Sequence, residues 1–114
     1  MDFTHCNPKS SQKQLDSLLL SILDEIEEQT GLELRINSAF RPVVYEIQKG
    51  RTGTSAHTLG KAVDIMCYDS SLRYKIVKIA LQLGVNRIGI YKTFIHLDVA
   101  TAKDCKTTQV IWYG

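Results

Sequence analysis

Proline is scarce in this chain, with two in 114 residues, and the three cysteines, Cys6, Cys67 and Cys105, contain no CxxC pair. An odd count without paired spacing argues against a disulfide framework. The thiols read as isolated residues in a reducing compartment, with Cys67 packed beside a strand. Charge of one sign is lacking as well. Fourteen Lys and Arg stand against twelve Asp and Glu, a formal charge of +2 with no cluster, which argues against nucleic acid as a partner. No long apolar run is present: Leu18 to Leu23 is broken by Ser21 and followed by Asp24 and Glu25, which excludes a membrane span. Met1 to Lys13 lacks the basic-then-apolar order of a secretory signal. No repeat, low-complexity tract or long linker divides the chain, so residues 1–114 are expected to form one domain, by default a monomer. Its 44% apolar and 23% charged residues suit an ordinary globular core.

Leu15, Leu18, Leu19, Ile22, Leu23 and Ile26 recur at helical spacing, predicting a helix capped by Ser10 or Ser11 and stopped at Thr30-Gly31. Leu32 to Asn37 alternates as a half-buried strand does, and Arg41-Pro42 opens a short helical segment through Gln48. A polar loop follows from Lys49 to Ser55. Lys61 to Met66 reads as a strand, and Asp69 or Ser70 caps a second long helix, Leu72 to Leu83, ended by Gly84. Arg87 to Tyr91 and Phe94 to Val99 form a hairpin about Lys92-Thr93, and a last strand runs from Gln109 to Tyr113. The order predicts an α+β fold, an antiparallel sheet with two long helices packed on one face.

Two segments carry candidate chemistry. Ser55-Ala56-His57-Thr58-Leu59-Gly60-Lys61-Ala62-Val63-Asp64 sets a His in a loop, a Gly at the turn and an Asp on the strand that follows. In Phe94-Ile95-His96-Leu97-Asp98-Val99 the polar His96 and Asp98 alternate with apolar residues and so face one side of a strand. If the two strands pair antiparallel, Asp64 and His96 become cross-strand neighbours and His57 reaches them from above. Two imidazoles and a carboxylate are the ligand set of a catalytic zinc, with a fourth position open for water whose pKa the ion lowers toward neutrality. Taken singly, each segment reads equally well as a hydrogen-bonded His–Asp pair; taken together they favour a cation, since an unpartnered carboxylate on an apolar strand is costly to bury.

The pattern His57, Gly60, Ala62, Asp64, preceded by Ser55 and followed by His96-x-Asp98, resembles the zinc signature of the D-alanyl-D-alanine carboxypeptidase family. Its relatives include phage L-alanyl-D-glutamate endopeptidases and the Hedgehog signalling domain. Asn37-Ser38-Ala39-Phe40-Arg41-Pro42 resembles the serine-aromatic-arginine segment of the same family, and Ile111-Trp112 is compatible with it. The resemblance implies a Hedgehog/DD-peptidase-like fold and makes His57, Asp64 and His96 the zinc ligands. It implies that Arg41 reaches into the site to bind substrate or stabilise the oxyanion, a role suited to a planar permanent donor. Ser55 either hydrogen-bonds substrate or shapes its loop. Many relatives place a glutamate general base three residues before the last His; Thr93 stands there in this chain. Asp98 then serves either as base or as the group that orients His96.

The expected function is zinc-dependent hydrolysis of peptide bonds in peptidoglycan stems, of carboxypeptidase or endopeptidase type. The alternative is a zinc-containing cell-wall binding module without turnover, which Thr93 favours. The resemblance implies synthesis in a bacterial or phage-infected cytoplasm and action at the wall, as for an endolysin-like product released through a separate pore.

Overall fold

The computed structural model describes residues 1–114. Asp16, rather than Ser10 or Ser11, starts the first helix: its carboxylate accepts the N–H groups of Leu18 and Leu19 at 2.9 and 3.4 Å, and α1 runs Ser17–Thr30. A carboxylate is the stronger acceptor at a helix start, where the dipole is positive. Ser11 opens only a 3₁₀ turn at Gln12–Gln14, its backbone N–H donating to the Gln14 side chain. Leu19, Ile22, Leu23 and Ile26 bury the expected stripe, but Leu18 faces out. β1 is shorter than predicted, Ile36–Ser38, because the Leu34 N–H is taken by the Glu27 carboxylate at 2.8 Å instead of by a neighbouring strand.

The remaining elements are α2 (Val43–Gln48), β2 (Ala62–Met66), α3 (Ser70–Gln82), β3 (Arg87–Ile90), β4 (Phe94–Asp98) and β5 (Val110–Tyr113). Asp69 is the cap of α3, accepting from the Leu72 N–H at 2.8 Å. The five strands lie in the order β1-β2-β4-β3-β5. β1, β2, β4 and β3 pair antiparallel as expected, but β5 pairs parallel with β3, so the sheet is mixed. The reason is the connection after β4. Residues 99–109 pass β3 and return the chain along its open edge in the direction of β3.

Val63, Ile65, Ile88, Ile95 and Leu97 of the sheet pack with Leu19, Leu23 and Ile26 of α1 and with Ile76, Ile79 and Ala80 of α3, in one core of 19 buried residues. Burying each Leu or Ile contributes about 1.5–3 kcal/mol, enough to fix which strand face turns inward. The residues between them, Asp64, His96 and Gly89, are thereby held on the opposite face. No helix is long and apolar enough to cross a membrane.

Candidate metal centre

Strand register builds the site. Asp64 pairs with Ser38 on one side and His96 on the other, His96 pairs with Gly89, and Gly89 with Trp112, so one row of residues crosses all five strands. A second row sets Ala62, Asp98 and Arg87 side by side. His57 enters from a 3₁₀ turn, Ala56–Leu59, which Gly60 ends with φ +70°. A Cβ on Gly60 would lie 2.4 Å from the Gln14 carbonyl oxygen, so both the backbone angle and the space require glycine there.

The three predicted ligands converge. His57 Nε2 lies 3.4 Å and His96 Nδ1 3.1 Å from Asp64 Oδ1, and one ligand atom from each residue lies within 4.8 Å of the others. Ligand atoms on a tetrahedral zinc stand about 3.3 Å apart, given metal–ligand bonds of about 2.0–2.1 Å. The outer nitrogens are fixed as well. His57 Nδ1 meets the Ala39 carbonyl at 2.6 Å, and His96 Nε2 meets Asp98 Oδ2 at 2.6 Å. Both partners accept only, so each outer nitrogen carries hydrogen; in the neutral ring the inner nitrogen then offers a lone pair toward Asp64, and in the protonated ring it donates to Asp64 instead. An electron-rich carboxylate oxygen facing two lone pairs calls for a cation.

The ionisation directions agree. Burial pushes the Asp64 carboxyl up, but hydrogen bonds from His57 and His96 and their charge outweigh it, holding the group far below the usual carboxylate range. Burial pushes the His96 imidazole down, but Asp64 and Asp98 more than offset it, and its pKa ends raised. Either a proton or a metal ion satisfies this pocket, and the donor set of two imidazoles and a carboxylate fits a metal.

Arg41, in the loop after β1, lies over the same carboxylate. It donates from Nε to Ser38 at 2.8 Å, from one terminal nitrogen to Asp64 Oδ2 at 3.0 Å and from the other to Glu46 at 3.4 Å. Three of its five N–H bonds are thus engaged inside the protein, and two remain. Arg41 therefore turns Asp64 so that Oδ1 faces the histidines. Ser55 lines the cleft, and its hydroxyl donates to Glu46 at 2.6 Å. Glu46 itself is fully buried on α2 and also accepts from Arg51 at 2.7 Å. Burial raises its pKa, but the Ser55 hydroxyl, Arg51 and Arg41 outweigh that and leave it lowered.

Asp98 is fully buried. Its Oδ1 accepts from Arg87 Nε at 2.8 Å and the Ala100 N–H at 3.1 Å, while Oδ2 holds His96. Thr93 sits outside the cleft, in the β3–β4 turn, where its carbonyl accepts from the Cys67 N–H. The cleft in front of the ligands has a volume of about 280 Å³. Its far wall contains Trp112, which the sequence gives only as compatible with the resemblance, and Tyr91, Arg87 and Lys106, to which the sequence pattern does not point. The Trp112 ring stands 5.2 Å from His96 and 5.1 Å from the Arg87 guanidinium, and its N–H donates to the Tyr91 hydroxyl at 2.9 Å. Trp112 lies against β3 because residue 89 is glycine, since any Cβ there would come within 2.7 Å of the indole.

The sequence model of the family described as Peptidase M15 matches residues 3–98, which contain the three candidate ligands, Arg41, Ser55 and Asp98. No curated protein sequence matches the chain.

Proposed function

Because the chain belongs to the peptidase M15 family, a family of metallopeptidases, we propose that it is a zinc enzyme hydrolysing peptide bonds in peptidoglycan stems, as a carboxypeptidase or endopeptidase. The observation that carries this reading is the convergence of His57, Asp64 and His96 at the floor of an open cleft. Zinc held there supplies a Lewis acid for the scissile carbonyl and lowers the pKa of a water. The two N–H bonds that Arg41 keeps free donate to the substrate carbonyl oxygen as it gains charge. Ser55 donates to Glu46, so its oxygen lone pairs face the cleft and accept a substrate N–H. Asp98 fixes the ring of His96, and it is the only cleft carboxylate besides the ligand Asp64. Asp98 is held on the outer nitrogen of His96, so it either orients that ring or, as the one remaining cleft carboxylate, takes the proton from water, and Asp98→Asn separates the two roles.

The test is metal content of the purified protein beside release of amino groups from peptidoglycan, with and without a chelator. Stoichiometric zinc and chelator-sensitive release support the peptidase. Zinc without release from several wall types supports the second reading, a wall-binding module. That reading is favoured by Thr93 at the position of the usual glutamate and by the full engagement of both Asp98 oxygens.

A further inference from the structure

The cleft contains three cations, and two of them are committed. Arg41 spends three N–H bonds on Ser38, Glu46 and Asp64, and Arg87 donates to Asp98 and to the Thr107 carbonyl. Lys106, half-buried at the far wall, forms no ion pair or side-chain hydrogen bond. Its backbone is nevertheless held: the Lys106 N–H donates to the Thr101 carbonyl at 3.2 Å, and Arg87 clamps the carbonyl of the next residue. Lys106 also lies outside the matched residues 3–98, in the segment that leads into β5 and Trp112.

The charges decide what this lysine is for. Around the cleft, Arg41, Arg87 and Lys106 face Asp64 and Asp98, while Glu46 lies buried behind Arg41. A divalent ion on the three ligands would leave the cleft clearly positive, and fixed positive charge in a low-dielectric concavity raises the local concentration of anions. β2 and β5 are separated by β4 and β3, so about 14 Å lies between the Asp64 and Trp112 strands at about 4.8 Å per step. That spans a few residues of extended peptide.

We propose that Lys106 is a specificity-determining residue that pairs with a free carboxylate of the substrate, so the cleft selects acidic peptides laid across the sheet from Arg41 to Trp112. The proposal rests on the peptidase reading for its choice of peptide. The carboxylate comes either from a peptide C-terminus or from an acidic side chain.

The chain has one tryptophan, and it lines the cleft, so its fluorescence reports binding without turnover. The experiment is stopped-flow titration of the zinc-loaded protein with N-acetyl-L-Lys-D-Ala-D-Ala and with N-acetyl-L-Ala-D-Glu, each beside its carboxamide. One of the two acids is expected to bind about five- to tenfold more tightly than its amide, the range of one partly exposed charge-assisted pair. Which acid does so identifies the source of the carboxylate. In Lys106→Gln that ratio should collapse toward one, and in Lys106→Glu it should invert. Lys103→Gln removes an exposed cation from the same segment and should keep the ratio. A preference that survives Lys106→Gln, the absence of any preference, or no fluorescence response to any of the four peptides overturns the proposal. Preferential binding without hydrolysis would instead remove the peptidase reading and leave this inference standing.

Discussion

His96 is held between two carboxylates, Asp64 on Nδ1 and Asp98 on Nε2, and only one of those contacts can be to a shared metal. That asymmetry makes two substitutions informative. His96→Ala removes a candidate ligand, and we expect zinc content and peptide release to fall together, read by metal analysis and amino-group release on one preparation. Bound zinc at full stoichiometry in His96→Ala would remove this residue from the ligand set. Asp98→Asn leaves all three candidate ligands in place. Loss of an outer partner typically weakens metal affinity about 10–100-fold, so zinc is retained when supplied in excess. Turnover, however, should drop about 10²–10⁴-fold if Asp98 takes the proton. Retained turnover in Asp98→Asn at saturating zinc would limit its role to orienting His96.

At the scale of elements, the site depends on which strands lie side by side. β5 is the edge, and Trp112 reaches His96 only because Gly89 on β3 leaves room beneath the indole. Gly89→Ala puts a Cβ within 2.7 Å of that ring. The ring sits on an edge strand and can swing away, so the expected stability loss is only about 1–3 kcal/mol. The tryptophan emission should shift to longer wavelength as the ring meets water. An unchanged spectrum would mean that the wall does not depend on this contact. The alternation His96-Leu97-Asp98 and the His57-to-Asp64 spacing made the convergence of His57, Asp64 and His96 legible in the sequence, because period-two patterning fixes which face a strand residue takes. The α1 start was misplaced because Asp16 outcompetes the serines for the first free N–H groups. The direction of β5 and the places of Trp112 and Lys106 in the cleft wall are not legible, because they follow from a crossover whose path no local pattern encodes. Glu46 was missed for a related reason: in a short polar helix nothing local marks a glutamate as buried.

Across the whole molecule the buried charges make stability depend on pH. Glu46 is fully buried and its pKa is lowered in the fold, held by Ser55, Arg51 and Arg41 against the cost of burial. A carboxyl whose folded pKa is depressed contributes stability that is fully present above its unfolded pKa, about 4.3 for Glu. That contribution is lost as pH falls through the lower folded value. Asp64 adds a contribution of the same sign. Urea midpoints should thus stay nearly level from about pH 8 to 5 as far as these groups decide them, then fall below about pH 4. Glu46→Gln keeps the shape and an acceptor for Ser55 but removes the charge that Arg41 and Arg51 share. We expect it to be less stable than the parent at pH 7 by about 2 kcal/mol, below the usual loss for a broken buried pair because Arg51 is half exposed. That difference should shrink as acid protonates Glu46 in the parent, and the two urea curves should converge once the pH falls below its lowered folded pKa. A gap that stays constant across this range would show that Glu46→Gln costs stability through packing, and that the charge of Glu46 does not hold α2 and Arg41 against the site.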